Sequence, residues 1–203
     1  MIDVNLKNLG SLAEVRSGYP FRGPVPAVEN GPVRVVQMRD VDPAGEVDWS
    51  GVASTELEGR KDPDWIAPGD VLFASRGYRY YAACVDSVPG PAVCGQHLFH
   101  ISVRPSAPVL PSFLAWQINQ PPLQKLLDKM AEGSSQLSIR RGVLESLPIA
   151  LPTLAAQHKI VELVRLAKQE TAAYTSLIRI REKQLESLAE GLAQNLTPTS
   201  HQP

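Results

Sequence analysis

The feature that most constrains this chain is a long segment near its C-terminus with the composition of one uninterrupted helix. From residue 153 to Leu196 the sequence contains no proline, and Gly191 is its only glycine. Leu-Pro pairs beginning at Leu147 and Leu151 come just before it, and proline ends the regular structure that precedes it. At about 1.5 Å per residue, a helix of this length would measure roughly 60 Å. The sequence therefore predicts a compact head followed by a rod.

The predicted rod carries an apolar seam with a heptad repeat. Thr171 and Arg181 interrupt this seam, and polar residues at such positions can select register or partner. A head of about 150 residues has a radius of gyration near 15 Å and is too small to cover a seam of this length. We expect a second helix, from another copy or another protein; the alternative is a helix folded back on its own head. The seam positions predicted to face a partner are Ile160, Val164, Ala167, Tyr174, Ile178, Leu185, Leu188 and Leu192.

The region before the rod is predicted to be rich in short strands, with helices near both of its ends. Turn residues bound β-branched or apolar runs that predict strands at 33–38, 71–74, 80–85 and 97–103. Apolar spacing predicts helical segments at 7–15, 111–118, 123–130 and 140–144. The predicted fold class is α+β, with an irregular β-rich domain and flanking helices over 1–150. A long C-terminal coiled-coil helix follows over 151–203, its spacer portion at 153–196 and its end frayed.

Charge is distributed unevenly along a chain whose formal net charge is only −1. Residues 1–39 hold five basic and three acidic side chains, and residues 71–141 hold seven basic and three acidic. Residues 40–70 hold two basic and nine acidic side chains, and the remainder is balanced. The first and third blocks could meet a polyanion while the acidic block faces elsewhere.

Composition also restricts the cellular setting. The sequence has no run of about 18 apolar residues that would cross a membrane, and its first residues lack the pattern of a signal peptide. Cys84 and Cys94 are its only cysteines, which favours two reduced thiols over a disulfide framework. We expect a cytoplasmic protein without a membrane segment.

The motifs of catalysis are weak or missing, so we expect no catalytic residue, no cofactor and no metal. Residues 62–65, Asp-Pro-Asp-Trp, differ at the third position from the tetrapeptide of amino-methyltransferases, and no glycine-rich loop for S-adenosylmethionine accompanies them. Cys84, Cys94, His97 and His100 do not have the spacing of zinc ligands. The Gly-x4-Gly-Lys loop of nucleotide triphosphatases is absent.

Three loops instead have the composition of a nucleic-acid interface. They are the first loop (16–22), the second loop (75–81) and the third loop (133–141). Arginine bonds phosphate or guanine, glutamine pairs with adenine, and tyrosine stacks on bases. Each residue alone is better explained by surface ion pairs or core packing, but the three loops together favour DNA. The predicted DNA-binding residues are Arg16, Tyr19, Arg22, Arg76, Tyr78, Arg79, Tyr80, Ser134, Ser135, Gln136, Arg140 and Arg141.

Six segments, in this order and spacing, give the chain a resemblance to a known family. They are Leu9–Tyr19, Pro68–Phe73, Val109–Ala115, Gly133–Gln136, Leu144–Pro148 and Leu151–Val161. Over nearly the whole chain, the order resembles the specificity (S) subunits of type I restriction-modification systems.

The resemblance implies that the chain acts together with other subunits on double-stranded DNA. Such subunits carry target-recognition domains separated by long helices, perform no catalysis, and dock methyltransferase (M) subunits that in turn engage a restriction (R) subunit. The usual subunit has two recognition domains and two spacer helices, whereas this sequence has one of each. The resemblance therefore implies an antiparallel homodimer that reads a bipartite site. An interaction adaptor or remnant without DNA binding is the alternative, and a methyltransferase or nuclease is a third possibility.

Overall fold

The computed structural model describes residues 5–42, 44–57, 62–77, 79–133 and 137–194. The chain divides into two compact units, Met1–Val161 and Glu162–Pro203. We call the first unit the head. The strands are β1 (Asn5–Asn8), β2 (Ala13–Ser17), β3 (Val33–Val36), β4 (Val41–Asp42), β5 (Glu46–Val47), β6 (Ala53–Thr55), β7 (Val71–Ala74), β8 (Tyr81–Cys84), β9 (Ala92–Cys94), β10 (Leu98–Val103) and β11 (Pro148–Leu151). The α-helices are α1 (Leu9–Leu12), α2 (Pro111–Ile118), α3 (Pro121–Met130), α4 (Arg141–Glu145) and α5 (Leu154–Gln194).

The head is built on two sheets. The larger is antiparallel and has the strand order β2-β10-β7-β8. The smaller has the order β6-β3-β9, in which β3 and β9 are parallel. A hairpin of β4 and β5 and the antiparallel pair β1-β11 complete the ladders. Together with the long C-terminal helix, this arrangement confirms the predicted α+β fold class.

The main core of the head lies between the larger sheet and the helices. Every residue of β7 is buried, which explains why this strand reads as a continuous apolar run. Phe73 from β7 and Phe113 and Leu114 from α2 belong to this core. Helix α2 begins with Pro111 in its first turn, where the missing N–H costs no hydrogen bond. The apolar run and the proline made both elements predictable.

The opening segment differs from the prediction. Residues 7–15 were expected to form a short helix or turn, but they belong to β1, the single turn α1, and β2. All four residues of β1 are exposed, so the strand has no apolar alternation that would reveal it. Its partner is β11, more than 130 residues later, with Asn5 opposite Leu151. The pairing comes from this distant contact rather than from a local pattern.

Two predicted boundaries differ from the structure. Helix α2 ends at Ile118, before Pro121-Pro122, as expected, but α3 begins at Pro121 rather than at Leu123, because the first turn of a helix tolerates proline. The strand expected over 33–38 ends at Val36, because Gln37 and Asp40 form a reciprocal cap around a 3-10 turn at Met38–Asp40. Among the described residues, no helix is both long and apolar enough to cross a membrane.

The first two turns of α5 are part of the head. Gln157 is fully buried, and its Oε1 accepts the N–H of Leu110 at 2.9 Å. Its Nε2 donates to the carbonyl oxygens of Pro108 and Pro152, each at 2.9 Å. Ile160 packs against the head core, so this predicted seam residue is already covered within the head. One amide thus joins the start of the long helix to the loop before α2.

From Glu162 onward, α5 presents a row of exposed apolar side chains. The seam positions Tyr174 and Ile178 are each 59% exposed, and Leu185, Leu188 and Leu192 are between 66% and 69% exposed. Leucines of a folded protein are normally buried, so this exposure is unusual, and the partner expected for the seam stays a prediction.

Replacing Gln157 with alanine should destabilise the head by about 3 kcal/mol, because two carbonyls and one N–H would lose their buried partner. Urea unfolding of the purified chain measures the change. The matched control is His158→Ala, an exposed neighbour on the same helix, which should cost less than about 0.5 kcal/mol. Equal stability of the two variants would contradict the role of the Gln157 amide.

A second buried polar group makes stability depend on pH. Burial opposes ionisation of Asp70, but hydrogen bonds from His100, the Ala67 N–H and Ser102 outweigh it and hold the pKa of this carboxyl below its usual value. The three donors lie 2.7, 2.7 and 2.8 Å from its oxygens. A depressed folded-state pKa contributes stability above the unfolded-state pKa of about 3.9, and this stability is lost as the pH falls through the folded value.

Asp70→Asn should therefore lower the free energy of unfolding at pH 7 by about 1–2 kcal/mol and flatten its decline below about pH 4. Urea titrations at pH 7 and at several values below 4 test this. Asp86→Asn, at an exposed carboxylate, should leave the stability at pH 7 nearly unchanged. Wild-type pH dependence in Asp70→Asn would show that the carboxyl is not the titrating group.

Candidate nucleic-acid interface

The turn between β9 and β10 is the point where the candidate loops meet. The N–H of Leu98 donates to the oxygen of Gly95 at 3.0 Å and closes this turn, with Gln96 and His97 at its tip. From the first loop, the N–H of Tyr19 donates to the oxygen of Cys94 at 2.7 Å. The base of the turn is therefore attached to the first loop.

The other two loops reach the same turn from β7, which flanks β10 on the side away from β2. The second loop bonds the turn directly, and the third loop bonds the second. The backbone N–H and the Oγ of Ser75 donate to the oxygen of His97 at 3.2 and 2.9 Å. The backbone oxygen of Ser75 accepts the N–H of Ile139 at 2.9 Å, and the backbones of Arg76 and Ser138 pair in an isolated antiparallel β-bridge. Three loops that are far apart in sequence are thus brought together by main-chain contacts around one turn.

Close approach of the first loop to the turn requires glycine. A Cβ atom placed on Gly18 would lie 1.9 Å from the carbonyl oxygen of Gly95, a distance that no side chain can occupy. The two backbones can lie against each other only because residue 18 has no side chain. This glycine sets the distance between the first loop and the turn.

Half of the predicted arginines are engaged in ion pairs. Arg16 on β2 contacts Glu14 and lies 3.4 Å from a carboxylate oxygen of Asp64. Arg140 pairs with Glu132 at 2.8 Å, and Arg141 pairs with Glu145 at 2.7 Å. These pairs reduce the positive charge that the three side chains offer to another molecule.

The other three predicted arginines have a different environment. Arg22, Arg76 and Arg79 are exposed, and the ion pairs between described residues do not include them. Burial and the charge of Arg76 lower the pKa of His97, which indicates that these two residues are neighbours. Exposed arginines with these properties are the side chains best suited to contact a polyanion.

The predicted tyrosines occupy very different positions. Tyr19 is half-buried, and its ring lies 4.9 Å from that of Phe21, centre to centre. Tyr80 is only 2% exposed and belongs to the head core, which raises the pKa of its hydroxyl and removes its ring from the surface. The structure therefore does not support the DNA contact predicted for Tyr80. Outside the described residues lie Tyr78, Ser134, Ser135 and Gln136.

Several side chains near the turn were not among the predicted site residues. A cavity of about 370 Å³ is lined by Phe21 from the first loop, by Met38 and Arg39 after β3, and by Gln96 and His97 at the turn. Arg39 has a side chain that is 68% exposed. The short turn between two strand-like runs is the only sequence signal that points to Gln96. His97 was considered only as a strand residue or zinc ligand.

The acidic block has a structural explanation. Four of its aspartates accept backbone N–H groups of their own turns, and hydrogen bonds of this kind stabilise turns and caps. For Asp48, hydrogen bonds from Ser50 hold the pKa below its usual value. The four N–H–carboxylate pairs are Gln37–Asp40, Ala44–Asp42, Ser50–Asp48 and Ala67–Asp70.

The residue types considered above for catalysis or metal binding have structural environments in the described part of the head. His100 and Ser102 both contact Asp70, but Ser102 donates to the carboxylate rather than to the imidazole, and His100 is only 1% exposed. Cys94 is buried, which raises the pKa of its thiol to about 12 and keeps it protonated. No group of three or more His, Cys, Asp or Glu side chains within the described ranges could hold a metal ion.

Comparison with known families gives a match over most of the chain. The family model Methylase_S, the type I restriction modification DNA specificity domain, matches residues 1–185. The comparison with curated proteins gave no match.

Solved structures match the fold at low sequence identity. A chain from work on complex assembly and conformational transition of the type I R-M system has a TM-score of 0.62 at 20% identity, covering 91% of this chain and 43% of that one. The type I S subunit from M. genitalium has a TM-score of 0.62 at 17% identity, with coverages of 97% and 47%. The HsdS subunit from Thermoanaerobacter tengcongensis has a TM-score of 0.54 at 17% identity, with coverages of 84% and 38%. The chain spans less than half the length of each.

Proposed function

Because the chain belongs to the family of type I restriction-modification DNA specificity domains, we propose that it is the specificity subunit that directs such a system to its DNA target. It reads duplex DNA with the head and leaves methylation and cleavage to methyltransferase and restriction subunits. The same role implies a cytoplasmic location, where these partners meet DNA.

One observation carries the DNA-binding part of this proposal. Three loops chosen for their composition meet around one turn, and Arg22, Arg76 and Arg79 on those loops are exposed. Phosphate contacts by arginine supply most of the sequence-independent affinity for DNA and fix the register of the protein on the duplex. The side chains of the same loops are then available to read base edges.

The second unit supports a role in assembly. Burying an exposed leucine side chain contributes about 1.5–3 kcal/mol. Covering the exposed seam of α5 with a second helix would therefore stabilise the resulting complex substantially. A second copy of the chain, with its helix antiparallel, would cover the seam and place two identical heads on one duplex. A two-fold dimer reads an inverted repeat with a fixed spacer.

Reversing charge at two loop positions tests the DNA interface. Arg76→Glu combined with Arg79→Glu should weaken duplex binding at least tenfold and reduce the slope of log affinity against log salt by about 2, because two phosphates would no longer be neutralised by arginine. Gel shifts or anisotropy with the full chain, with and without methyltransferase subunits, provide the measurement.

The matched control for that experiment is Arg104→Glu. Arg104 is exposed and follows the far end of β10, about 20 Å along the strand from the turn. This variant should bind DNA as the wild type does. If the double variant keeps wild-type affinity and salt slope, the second loop is not part of the interface. A chain that binds partner subunits but no DNA would instead favour an interaction adaptor.

A pair of neighbouring substitutions tests the homodimer. Leu188→Asp places a charge in the seam and should convert the dimer to monomer at micromolar concentration, because an unpaired carboxylate cannot be buried between helices. Sedimentation equilibrium measures the mass. Ser187→Asp introduces the same charge about 100° around the helix, on its polar side, and should remain dimeric. A monomeric wild type would overturn the homodimer but not DNA recognition by the head.

A further inference from the structure

The turn that joins the three loops also closes one wall of the 370 Å³ cavity. Gln96 at its tip is exposed, so its amide is accessible from solvent. The other amide in the cavity lining, Gln37, is already used, because its side chain accepts the N–H of Asp40 in the reciprocal cap. Gln96 is therefore the exposed amide of this lining, and the one better placed to offer both its oxygen and its NH2 group to a ligand.

The floor of the cavity is apolar. Phe21, Val25 and Met38 contribute half-buried side chains to it. Met38 is held in place, since its carbonyl oxygen accepts the hydroxyl of Tyr81 at 3.1 Å, and Gly77 of the second loop passes close to its terminal methyl group. A fixed apolar floor beside an accessible amide can receive a methyl group next to a hydrogen-bonding edge.

The charge around the cavity selects the kind of molecule that fits. Arg39 and His97 are the titratable residues among those described in its lining, and none of the described residues that line it is acidic. Arg76 lies near His97, as the effect of its charge on the imidazole indicates. Arg39 also lies 3.7 Å from a carboxylate oxygen of Asp40, and the lowered pKa of His97 favours its neutral form. The positive charge beside the apolar floor therefore comes from the exposed guanidinium groups of Arg39 and Arg76, which suit a polyanion that carries apolar groups on its readable face.

In the major groove of duplex DNA, one base pair combines these features. Adenine presents the N6 donor and N7 acceptor that a glutamine amide bonds in pairs, and its partner thymine presents a methyl group at C5. A G·C pair has neither the methyl group nor the same donor and acceptor pattern. The chemistry of the cavity therefore corresponds to an A·T pair.

The geometry points to a specificity-determining site: Gln96 bonds the adenine of one A·T pair in each half-site, and Met38 and Phe21 receive the methyl group of its thymine. This assignment rests on the proposed function, because it needs the head to lie in the major groove. It adds Gln96, Met38 and Phe21 to the interface as residues that choose a base rather than bind phosphate.

The test uses the full chain and a library of duplexes with a randomised central region. Wild-type protein should enrich a motif that contains an invariant A·T pair, and Gln96→Ala should lose about tenfold discrimination at that pair while keeping the other positions. Gln169→Ala makes the same chemical change at an exposed site on α5 and should return the wild-type motif.

A second measurement changes the DNA, so that its first comparison uses only the wild-type protein. Replacing thymine with deoxyuridine removes only the methyl group, and at the assigned pair it should weaken wild-type binding about fourfold. Met38→Ala should bind the thymine and deoxyuridine duplexes equally, because the floor that contacts the methyl group is gone.

The outcomes separate this assignment from the function on which it rests. A wild-type motif that Gln96→Ala enriches unchanged would overturn the role of Gln96. Equal affinity of the wild type for thymine and deoxyuridine at every A·T position would overturn the role of the apolar floor. If the wild type enriches no motif, the proposed DNA recognition itself fails, and the base assignment fails with it.

Discussion

The candidate interface depends on the closed turn at Gly95–Leu98 and the main-chain hydrogen bonds around it. Backbone groups of Tyr19, Val36, Ser75 and Ile139 all belong to this frame, directly or through one further hydrogen bond. Such bonds involve atoms that nearly every residue possesses, so they position the loops without restricting most of their side chains. Backbone atoms therefore position the loops, and the side chains of the loops are left free to vary. Gly18 is the exception, because the frame itself requires it to have no side chain.

A buried carboxylate and a buried amide stabilise the head on either side of this frame. Asp70 ties the turn before β7 to β10, and Gln157 ties the start of α5 to the loop before α2. Both polar groups are hydrogen-bonded to partners that would otherwise be unsatisfied in the interior, so removing either leaves a cost larger than the bond itself. Specific polar contacts therefore stabilise the head in addition to its apolar packing.

Sequence reasoning succeeded where the signal is local. The buried run of β7, the proline that starts α2 and the long proline-free stretch of α5 all carry their structure in adjacent residues. It failed for β1, whose partner is distant and whose side chains are exposed. Among candidate site residues, composition alone could not separate exposed Arg76 from buried Tyr80, only four residues later. Gln96, the residue proposed to read a base, was not a candidate from the sequence, because a single glutamine in a turn has no pattern until the fold places it in the lining of a cavity.

The pairing of β1 with β11 has a consequence for how such a head can be rearranged. The strand that enters the head and the strand that leaves it are hydrogen-bonded neighbours over four residue pairs. A module with adjacent entry and exit points can be exchanged as a cassette, since what precedes and follows it keeps the same attachment. A replacement head would have to offer Gln157 the oxygen of Pro108 and the N–H of Leu110, and an apolar surface against which Ile160 can pack. Under the proposed function, exchange of the head at two short junctions would change the DNA target while leaving the sequence of α5 beyond Val161 unaltered.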